Sequence, residues 1–242
     1  MTRTKLGLLG LCTVVFGAMA ISAIGAQAAT YKWLILNSSK TTATELKAPL
    51  TAKLESTHLT LEGEVAGLNI AITCTALTLN NMNLELNGKL TDGGKIVLTG
   101  CKVYKKAPLG EEYKCTVKTS GAATGTVETN ELKGELELVG SVLLTKIEPK
   151  AGLTGNFATL RFEGAECVLP ELNQLHGVLY LKDSNPTVHE LEHLVTEDVA
   201  STALYIGGHS TTQLNVTDFL GNALISLTGA HSGLHWAAQD TP

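Results

Sequence analysis

Arginine is almost missing from this chain, and aromatic residues are scarce. Apart from Arg3 near the start, Arg161 is the single arginine. Aromatic residues make up 5% of the sequence and include two tryptophans, Trp33 and Trp236. Nucleic-acid-binding proteins need clustered cationic side chains, and arginine in particular makes bidentate contacts with phosphate. We therefore expect no nucleic-acid partner. Carbohydrate-binding modules need exposed aromatic platforms, and the scarcity of aromatics disfavours that class too.

Several motifs of common chemistries are also missing. No C-x-x-C pair occurs, so a zinc ribbon or a thioredoxin-type redox pair has no support. The sequence contains no G-x-S-x-G elbow, no Walker-type phosphate loop and no G-x-G-x-x-G fingerprint. A single long apolar run lies near the N-terminus, so we expect no membrane span in the mature chain.

The first 28 residues have the organisation of a signal peptide. Arg3 and Lys5 form a charged start, Leu6–Gly25 is an uncharged apolar run, and Ala26-Gln27-Ala28 fits the small-x-small pattern before a cleavage site. We predict cleavage between Ala28 and Ala29 and a protein that is secreted or lies on the exterior of the cell envelope. Removing Arg3 and Lys5 leaves 16 Lys and Arg against 23 Asp and Glu, a net charge of −7.

Four cysteines remain after that cleavage, namely Cys74, Cys101, Cys115 and Cys167. An even number in an exported chain predicts two disulfides. Pro108-Leu109-Gly110 is a turn signal midway between Cys101 and Cys115, which favours the pair Cys101–Cys115 and leaves Cys74 with Cys167. The alternative is Cys74–Cys101 with Cys115–Cys167.

Alternation of apolar and polar residues dominates the rest of the chain. Leucines alternate with glutamates over Glu131–Leu138, and apolar residues alternate with asparagine and glutamate over Asn81–Asn87. Asn87-Gly88 and Asp92-Gly93-Gly94 are turn signals between such segments. The pattern predicts an all-β fold, an antiparallel sandwich or a barrel-like structure, with a β-solenoid as the alternative. We expect residues 29–242 to form one β-rich domain, with 170–185 as the place where a sub-boundary would fall.

One segment also fits a short helix near residues 186–198. Ser184-Asn185-Pro186 resembles a helix N-cap followed by proline at the first helical position. Val188, Leu191 and Val195 then fall on one face at helical spacing. The same residues are compatible with a strand.

The sharpest chemical motif lies in that segment. His189-Glu190-Leu191-Glu192-His193 has the H-E-x-x-H spacing of zinc peptidases. On a helix, His189 and His193 would share one face and could ligate zinc, with Glu190 as general base. Glu192, however, places a charge where such helices usually carry an uncharged residue.

The third zinc ligand is missing from its usual places. Thr196 replaces the glycine of the extended metzincin pattern, and Asp198–Ala200 contain no histidine. Glu197 is the last glutamate, so no later Glu can complete the site as it does in thermolysin-like enzymes. Substitutes for the third ligand are His209, Asp218 and His231. A solvated segment without metal is therefore the favoured interpretation.

Five phrases carry a resemblance to other proteins. They are Ile72-Thr73-Cys74, Leu98-Thr99-Gly100-Cys101, the run Val127–Leu136, Asn156-Phe157-Ala158 and Leu227-Thr228-Gly229-Ala230-His231. The chain resembles uncharacterised secreted β-rich proteins of soil actinobacteria in these phrases. The resemblance implies export and a β fold with disulfides, and it implies no activity.

These observations favour a secreted, non-catalytic structural or interaction protein of the cell envelope or exterior, without a cofactor. The alternative is a zinc-binding protein or zinc-dependent peptidase that uses His189, Glu190 and His193.

Overall fold

A computed structural model describes residues 30–105, 110–207 and 216–241. The predicted signal peptide and its cleavage site, Ala28–Ala29, lie outside these ranges. The described chain is built from strands: β1 (Thr30–Leu36), β2 (Ala43–Thr44), β3 (Ala48–Leu54), β4 (Leu59–Val65), β5 (Leu68–Cys74), β6 (Ala76–Asn80), β7 (Asn83–Leu84), β8 (Lys89–Thr99), β9 (Lys102–Tyr104), β10 (Thr116–Thr119), β11 (Val127–Glu128), β12 (Leu132–Val139), β13 (Val142–Pro149), β14 (Ala158–Glu163), β15 (Leu172–Asp183), β16 (Glu192–Glu197), β17 (Ala203–Ile206), β18 (Val216–Leu220), β19 (Asn222–Leu227) and β20 (Trp236–Thr241). Single-turn 3-10 helices occupy Leu86–Gly88, Gly152–Thr154 and Gly229–His231.

Eight of these strands close into an antiparallel barrel, which confirms the prediction of an all-β, barrel-like fold. The order around the barrel is β3, β7, β8, β12, β13, β15, β16 and β19, and β19 returns to β3. Closure pairs Leu224 of β19 with Lys53 of β3. All strand pairs in the described ranges are antiparallel, so the chain does not adopt the parallel stacking of a β-solenoid.

A second sheet continues from one end of the barrel. Its order is β10, β14, β15, β17, β18, β4, β5 and β9. The strand β15 belongs to both layers, because residues 172–178 pair with β14 and β17 whereas residues 179–183 pair with β13 and β16. The segment near 170–185 is therefore a strand shared by the two layers, and the buried apolar residues of both form one continuous cluster.

Gly177 lies where β15 changes neighbours. Its φ of +116° is in the region that favours glycine. A Cβ atom at this position would overlap the carbonyl oxygen of Ala203 on β17. The strand can therefore pass from one layer to the other only with glycine at this point.

A third, small sheet covers one end of the barrel, and we call it the cap sheet (β2, β1 and β20). The first and last described strands pair in it, from Thr30↔Thr241 to Ile35↔Trp236. The indole N–H of Trp33 donates to the carbonyl oxygen of Lys89 at 3.1 Å, which joins β1 to the start of β8. The cap sheet is thus fixed to the end of the barrel at which β8 and β16 begin.

The disulfides follow the alternative connectivity, and the favoured pairs Cys101–Cys115 and Cys74–Cys167 are wrong. Cys74 is bonded to Cys101, and Cys115 to Cys167, across 27 and 52 residues of sequence. Cys74 ends β5, and the pairing Thr73↔Lys102 between β5 and β9 places Cys101 directly opposite Cys74. Pairing between neighbouring strands therefore selects this bond.

Most of the predicted turn at Pro108-Leu109-Gly110 lies outside the described residues, which leave out 106–109, but the segments on either side of it pair. Tyr104 and Glu112 form an antiparallel bridge on either side of it. The chain then bends at Lys114, before the pairing reaches Cys101 and Cys115. Cys115 instead lies beside the turn after β14, in which Cys167 donates its backbone N–H to Gly164 at 3.1 Å.

Within the described residues, no helix has the length and apolarity that a membrane span requires.

Candidate functional site

The H-E-x-x-H segment is extended, so the prediction of a short helix near 186–198 is wrong. Glu192–Glu197 form β16, which pairs with β15 on one side and β19 on the other. Glu190 forms a bridge with Trp236 of the cap sheet, with backbone hydrogen bonds of 3.2 and 3.0 Å. Val188 and Leu191 are exposed rather than part of a buried helical face. Sheet hydrogen bonds on both sides outweigh the local N-cap signal of Ser184-Asn185-Pro186.

This geometry separates the two histidines of the motif. A zincin helix places its two histidines side by side on one face, whereas here the chain bends at Leu191 between them and only His193 belongs to a strand. His189 is partly buried in the loop before β16, whereas His193 is fully buried on β16. In the described part of the chain, no three His, Cys, Asp or Glu side chains come together as a metal-binding group.

The substitute third ligands are not gathered around the motif either. His231 ends the 3-10 helix Gly229–His231, and His209 lies outside the described residues. The backbone of Asp218 pairs with Glu62 in the second sheet, and its side chain lies outside the description. His235 lies nearer, with Nδ1 3.1 Å from the carbonyl oxygen of His189. Burial lowers the pKa of His189, and neighbouring His193 and His235 lower it further.

His193 is fully buried and is held at both ring nitrogens. Its Nδ1 lies 2.6 Å from Oδ2 of Asp183, and its Nε2 lies 2.7 Å from the carbonyl oxygen of Trp236. A carboxylate and a carbonyl can only accept, so both ring nitrogens donate and the ring is an imidazolium. Burial lowers the pKa of His193, but the hydrogen bond and charge of Asp183, the hydrogen bond to the carbonyl of Trp236 and the charge of Glu190 together raise it above its ordinary value of 6.5.

Asp183 was not recognised from the sequence as a partner of His193. It ends β15, and its Oδ1 accepts the backbone N–H of Asn185 at 2.8 Å, so both of its oxygens are hydrogen-bonded. The available signal is the alternation His193, Val195, Glu197, which places His193 in phase with Val195, a residue that lines the barrel cavity. A histidine at an inward strand position needs a polar partner. Nothing in the spacing identifies Asp183 as that partner.

Trp33 and Trp236 lie together beneath the cap sheet. Their ring centroids are 5.7 Å apart, and the ring of Trp236 lies 4.1 Å from that of His193. Both tryptophans are almost completely buried. The His193 imidazolium, the two indoles and Asp183 therefore form one floor at the capped end of the barrel.

A cavity of about 90 Å³ lies above this floor. Both tryptophans line it, together with apolar side chains from the barrel strands, among them Leu50, Leu84, Leu90, Ile147, Leu179 and Ile225. Thr145, Thr196 and Glu197 are the polar side chains in the lining. An empty cavity of this size in an apolar core costs on the order of 2 kcal/mol, because the surrounding atoms lose packing contacts.

One polar atom of the floor lacks a partner in the described structure. The indole nitrogen Nε1 of Trp236 is buried and has no hydrogen-bond acceptor among the described residues, whereas Nε1 of Trp33 donates to Lys89. Leaving a buried N–H without an acceptor costs about 1–3 kcal/mol. The floor of the barrel therefore contains a buried donor with no acceptor among the described residues.

Comparisons with known proteins provide no relative for this arrangement. No family model, curated protein or solved structure matches the chain. The resemblance to secreted actinobacterial proteins therefore stays a prediction.

Proposed function

We propose that this protein is exported from the cell and acts by binding, without catalysis, at the cell envelope or beyond it. The observation that carries the proposal is the pair of disulfides, with three of their four cysteines buried, in an all-β chain that follows a signal-like segment. Cys74, Cys101 and Cys115 are less than 7% exposed. Disulfides persist in oxidising compartments and are rare in the cytosol, so their presence is typical of a protein outside the cytoplasm.

The barrel supports binding as the mode of action. Closed eight-stranded barrels either fill their interior with side chains or hold one small ligand. This barrel retains a cavity in its interior, and its capped end is fixed by hydrogen bonds from Trp33 and His193. A rigid wall of hydrogen-bonded strands favours recognition by shape.

Export predicts a defined N-terminus and no free thiol. We expect the full chain, expressed with its own leader in a bacterial host, to yield a product that begins at Ala29. Replacing Ala28 with phenylalanine should block cleavage because a small residue is needed before the cut. The matched change Ala29→Phe, one residue after the cut, should leave cleavage intact. Protein that keeps Met1 in a membrane fraction, or two reactive thiols after denaturation without reductant, would contradict the proposal.

The zinc-peptidase alternative depends on Glu190 as a base. Glu190 accepts one side-chain hydrogen bond, from Nδ2 of Asn185 at 3.3 Å, and a glutamine oxygen could accept it as well. We therefore expect Glu190→Gln to change the free energy of unfolding by no more than about 0.5 kcal/mol. Denaturant titration checks this value. In parallel, wild type and Glu190→Gln are incubated with zinc and a broad peptide library. Chelator-sensitive cleavage that disappears in the variant would favour the peptidase.

A further inference from the structure

We propose that His193 is a proton-operated latch for the cap sheet: the imidazolium ring holds β20 against the barrel, and the neutral ring releases it. The proposal rests on the two hydrogen bonds of this ring and on the strand that one of them holds. It goes beyond the proposed function, because it concerns movement of the cap sheet and requires neither export nor a ligand.

The His193 latch joins three strands at the capped end of the barrel. His193 lies on β16, and its Nδ1 donates to Oδ2 of Asp183, the last residue of β15, at 2.6 Å. Its Nε2 donates to the carbonyl oxygen of Trp236, the first residue of β20, at 2.7 Å. The His193 side chain is fully buried, so water does not replace a bond that this ring loses while β20 is in place.

Loss of one proton from this ring removes one of the two bonds. A neutral imidazole has one N–H donor and one acceptor nitrogen, whereas both partners of His193 are acceptors. The carboxylate of Asp183 is the stronger acceptor because it carries a charge, so the remaining proton stays on Nδ1. The proton that leaves Nε2 passes to solvent, and the lone pair of Nε2 then faces the carbonyl oxygen of Trp236. Two acceptors at hydrogen-bond distance repel each other, so deprotonation weakens the attachment of β20.

Other attachments of the cap sheet do not respond to pH in this way. Nε1 of Trp33 donates to the carbonyl oxygen of Lys89, and an indole N–H does not titrate. Ala238 donates its backbone N–H to Pro186 at 2.7 Å, and the same strand forms the bridge with Glu190. Those backbone bonds join β20 to the loop before β16 rather than to a barrel strand, so β20 and this loop can move together when the latch opens.

Several titratable groups surround the His193 ring. Burial opposes its charged form, whereas Asp183 on β15 and Glu190 in the loop favour that form, and the resulting pKa lies above 6.5. His189 in the same loop and His235 just before β20 are the neighbouring bases. Burial lowers the pKa of His189, and the two other histidines lower it further, so His189 is neutral where His193 changes its charge. The strand β19, which pairs with the other side of β16, contains no titratable residue.

Release of β20 would uncover the capped end of the barrel. The ring of Trp236 lies 4.1 Å from that of His193 and lines the interior cavity. The raised pKa of His193 places the release on the alkaline side of pH 6.5, whereas the cap sheet is held below that value. The cap sheet is therefore a lid whose closed state needs one proton.

Hydrogen exchange at the indole N–H of Trp236 measures the release. This nitrogen is buried and has no acceptor among the described residues, so burial protects its proton and opening of the cap sheet exposes it. The chain contains only Trp33 and Trp236, so a 15N-labelled sample has two indole signals to assign. After correction for the intrinsic exchange rate, we expect the protection of Trp236 to fall about 10- to 100-fold from about pH 6 to about pH 9, the value of one hydrogen bond to a charged group. The midpoint should coincide with the titration of the His193 ring, followed by NMR in the same sample.

The barrel hairpin β12–β13 separates local release from unfolding. Local opening leaves Trp236 less protected than the backbone N–H groups of this hairpin, which exchange when the barrel itself opens. We expect the protection of Trp236 to be at least about tenfold lower than theirs at the alkaline end of the range.

Three variants assign the titration to His193. In His193→Gln the side chain is neutral throughout, so the protection of Trp236 should be low and independent of pH. The matched controls are His189→Gln and His235→Gln, which remove the neighbouring bases and should keep the pH-dependent loss. Disappearance of that loss in either control would assign it to another histidine and overturn the latch.

Two results in the wild type would also overturn it. One is protection of Trp236 that stays constant from about pH 6 to about pH 9. The other is protection as strong as that of β12–β13 throughout, because the indole would then exchange only through global unfolding. The wild-type midpoints decide the question if His193→Gln does not fold.

Discussion

Replacing Asp183 with asparagine is expected to destabilise the protein by about 3 kcal/mol at neutral pH. The cost arises because the variant leaves the buried imidazolium of His193 without its counter-charge, and breaking one partner of a buried ion pair typically costs about 3–5 kcal/mol. Asparagine preserves the size of the side chain, so the loss reports charge rather than packing. Asp92→Asn is the control, because the Asp92 side chain is 68% exposed and its ion pair with Lys150 is 3.9 Å long. Denaturant unfolding at fixed pH measures both changes.

The difference in unfolding free energy between wild type and Asp183→Asn should also depend on pH, in a direction set by the raised pKa of His193. In the folded protein the pKa of His193 is raised above 6.5. The Asp183–His193 ion pair therefore contributes its full stabilisation below pH 6.5 and loses it as the pH rises through the raised pKa. Without Asp183, burial becomes the dominant influence and the pKa of His193 should fall below 6.5. The contribution of His193 should then increase with pH instead. The difference in unfolding free energy between wild type and Asp183→Asn should therefore shrink as pH rises from about 6 to about 9. A difference that stays constant over this range would contradict a charged His193.

Removal of either disulfide is the second change with a large expected effect. In the chain-entropy model, the Cys74–Cys101 and Cys115–Cys167 bonds, which close 27 and 52 residues, contribute about 3.5 and about 4 kcal/mol. The double variant Cys74→Ala/Cys101→Ala also removes two buried sulfur atoms, whereas Cys167 is only partly buried. We therefore expect this pair to cost at least as much as Cys115→Ala/Cys167→Ala, despite its shorter loop. Such losses are a large part of the about 5–15 kcal/mol that stabilises a typical domain.

Peptide mapping without reductant checks the connectivity on which this comparison depends. Linked peptides should join Cys74 to Cys101 and Cys115 to Cys167. A peptide that links Cys101 to Cys115 would contradict the structure and restore the pairing favoured by the turn signal. Thermal unfolding of the two double variants, measured beside the wild type, then ranks the bonds.

The strands were predictable from the sequence because their alternation is local. The leucine and glutamate alternation over Glu131–Leu138 indeed corresponds to β12, and Asn87-Gly88 marks a turn between β7 and β8. Asp92-Gly93-Gly94, in contrast, does not end a strand. It lies inside β8, next to a register shift between β8 and β12, at the place where β8 leaves the barrel strands and continues with β6. A glycine pair that ends a strand and one that bends it look alike in the sequence.

The candidate site was less predictable because it depends on contacts between distant segments. His193 was identified as a ligand candidate through its spacing from His189, whereas its actual partners are Asp183 and the backbone of Trp236. The H-E-x-x-H spacing aligns two histidines as zinc ligands on a helix. It does not do so here, because β16 is a strand that pairs on both sides. In the sequence, the two tryptophans show only that aromatic residues are scarce. Their shared position beneath the cap sheet follows only from the pairing of β1 with β20.

That pairing also determines when the barrel end closes during folding. Thr30 and Thr241 are partners across nearly the whole described chain, and closing so long a loop carries a large entropic cost. Contacts between distant segments form late and slow folding, whereas hairpins such as β12–β13 form early. Because Trp33 lies on β1 and Trp236 on β20, the two indoles come together only when this pairing forms. Closure of the capped end therefore depends on the most distant pairing in the described chain, and we expect it to be among the last steps of folding.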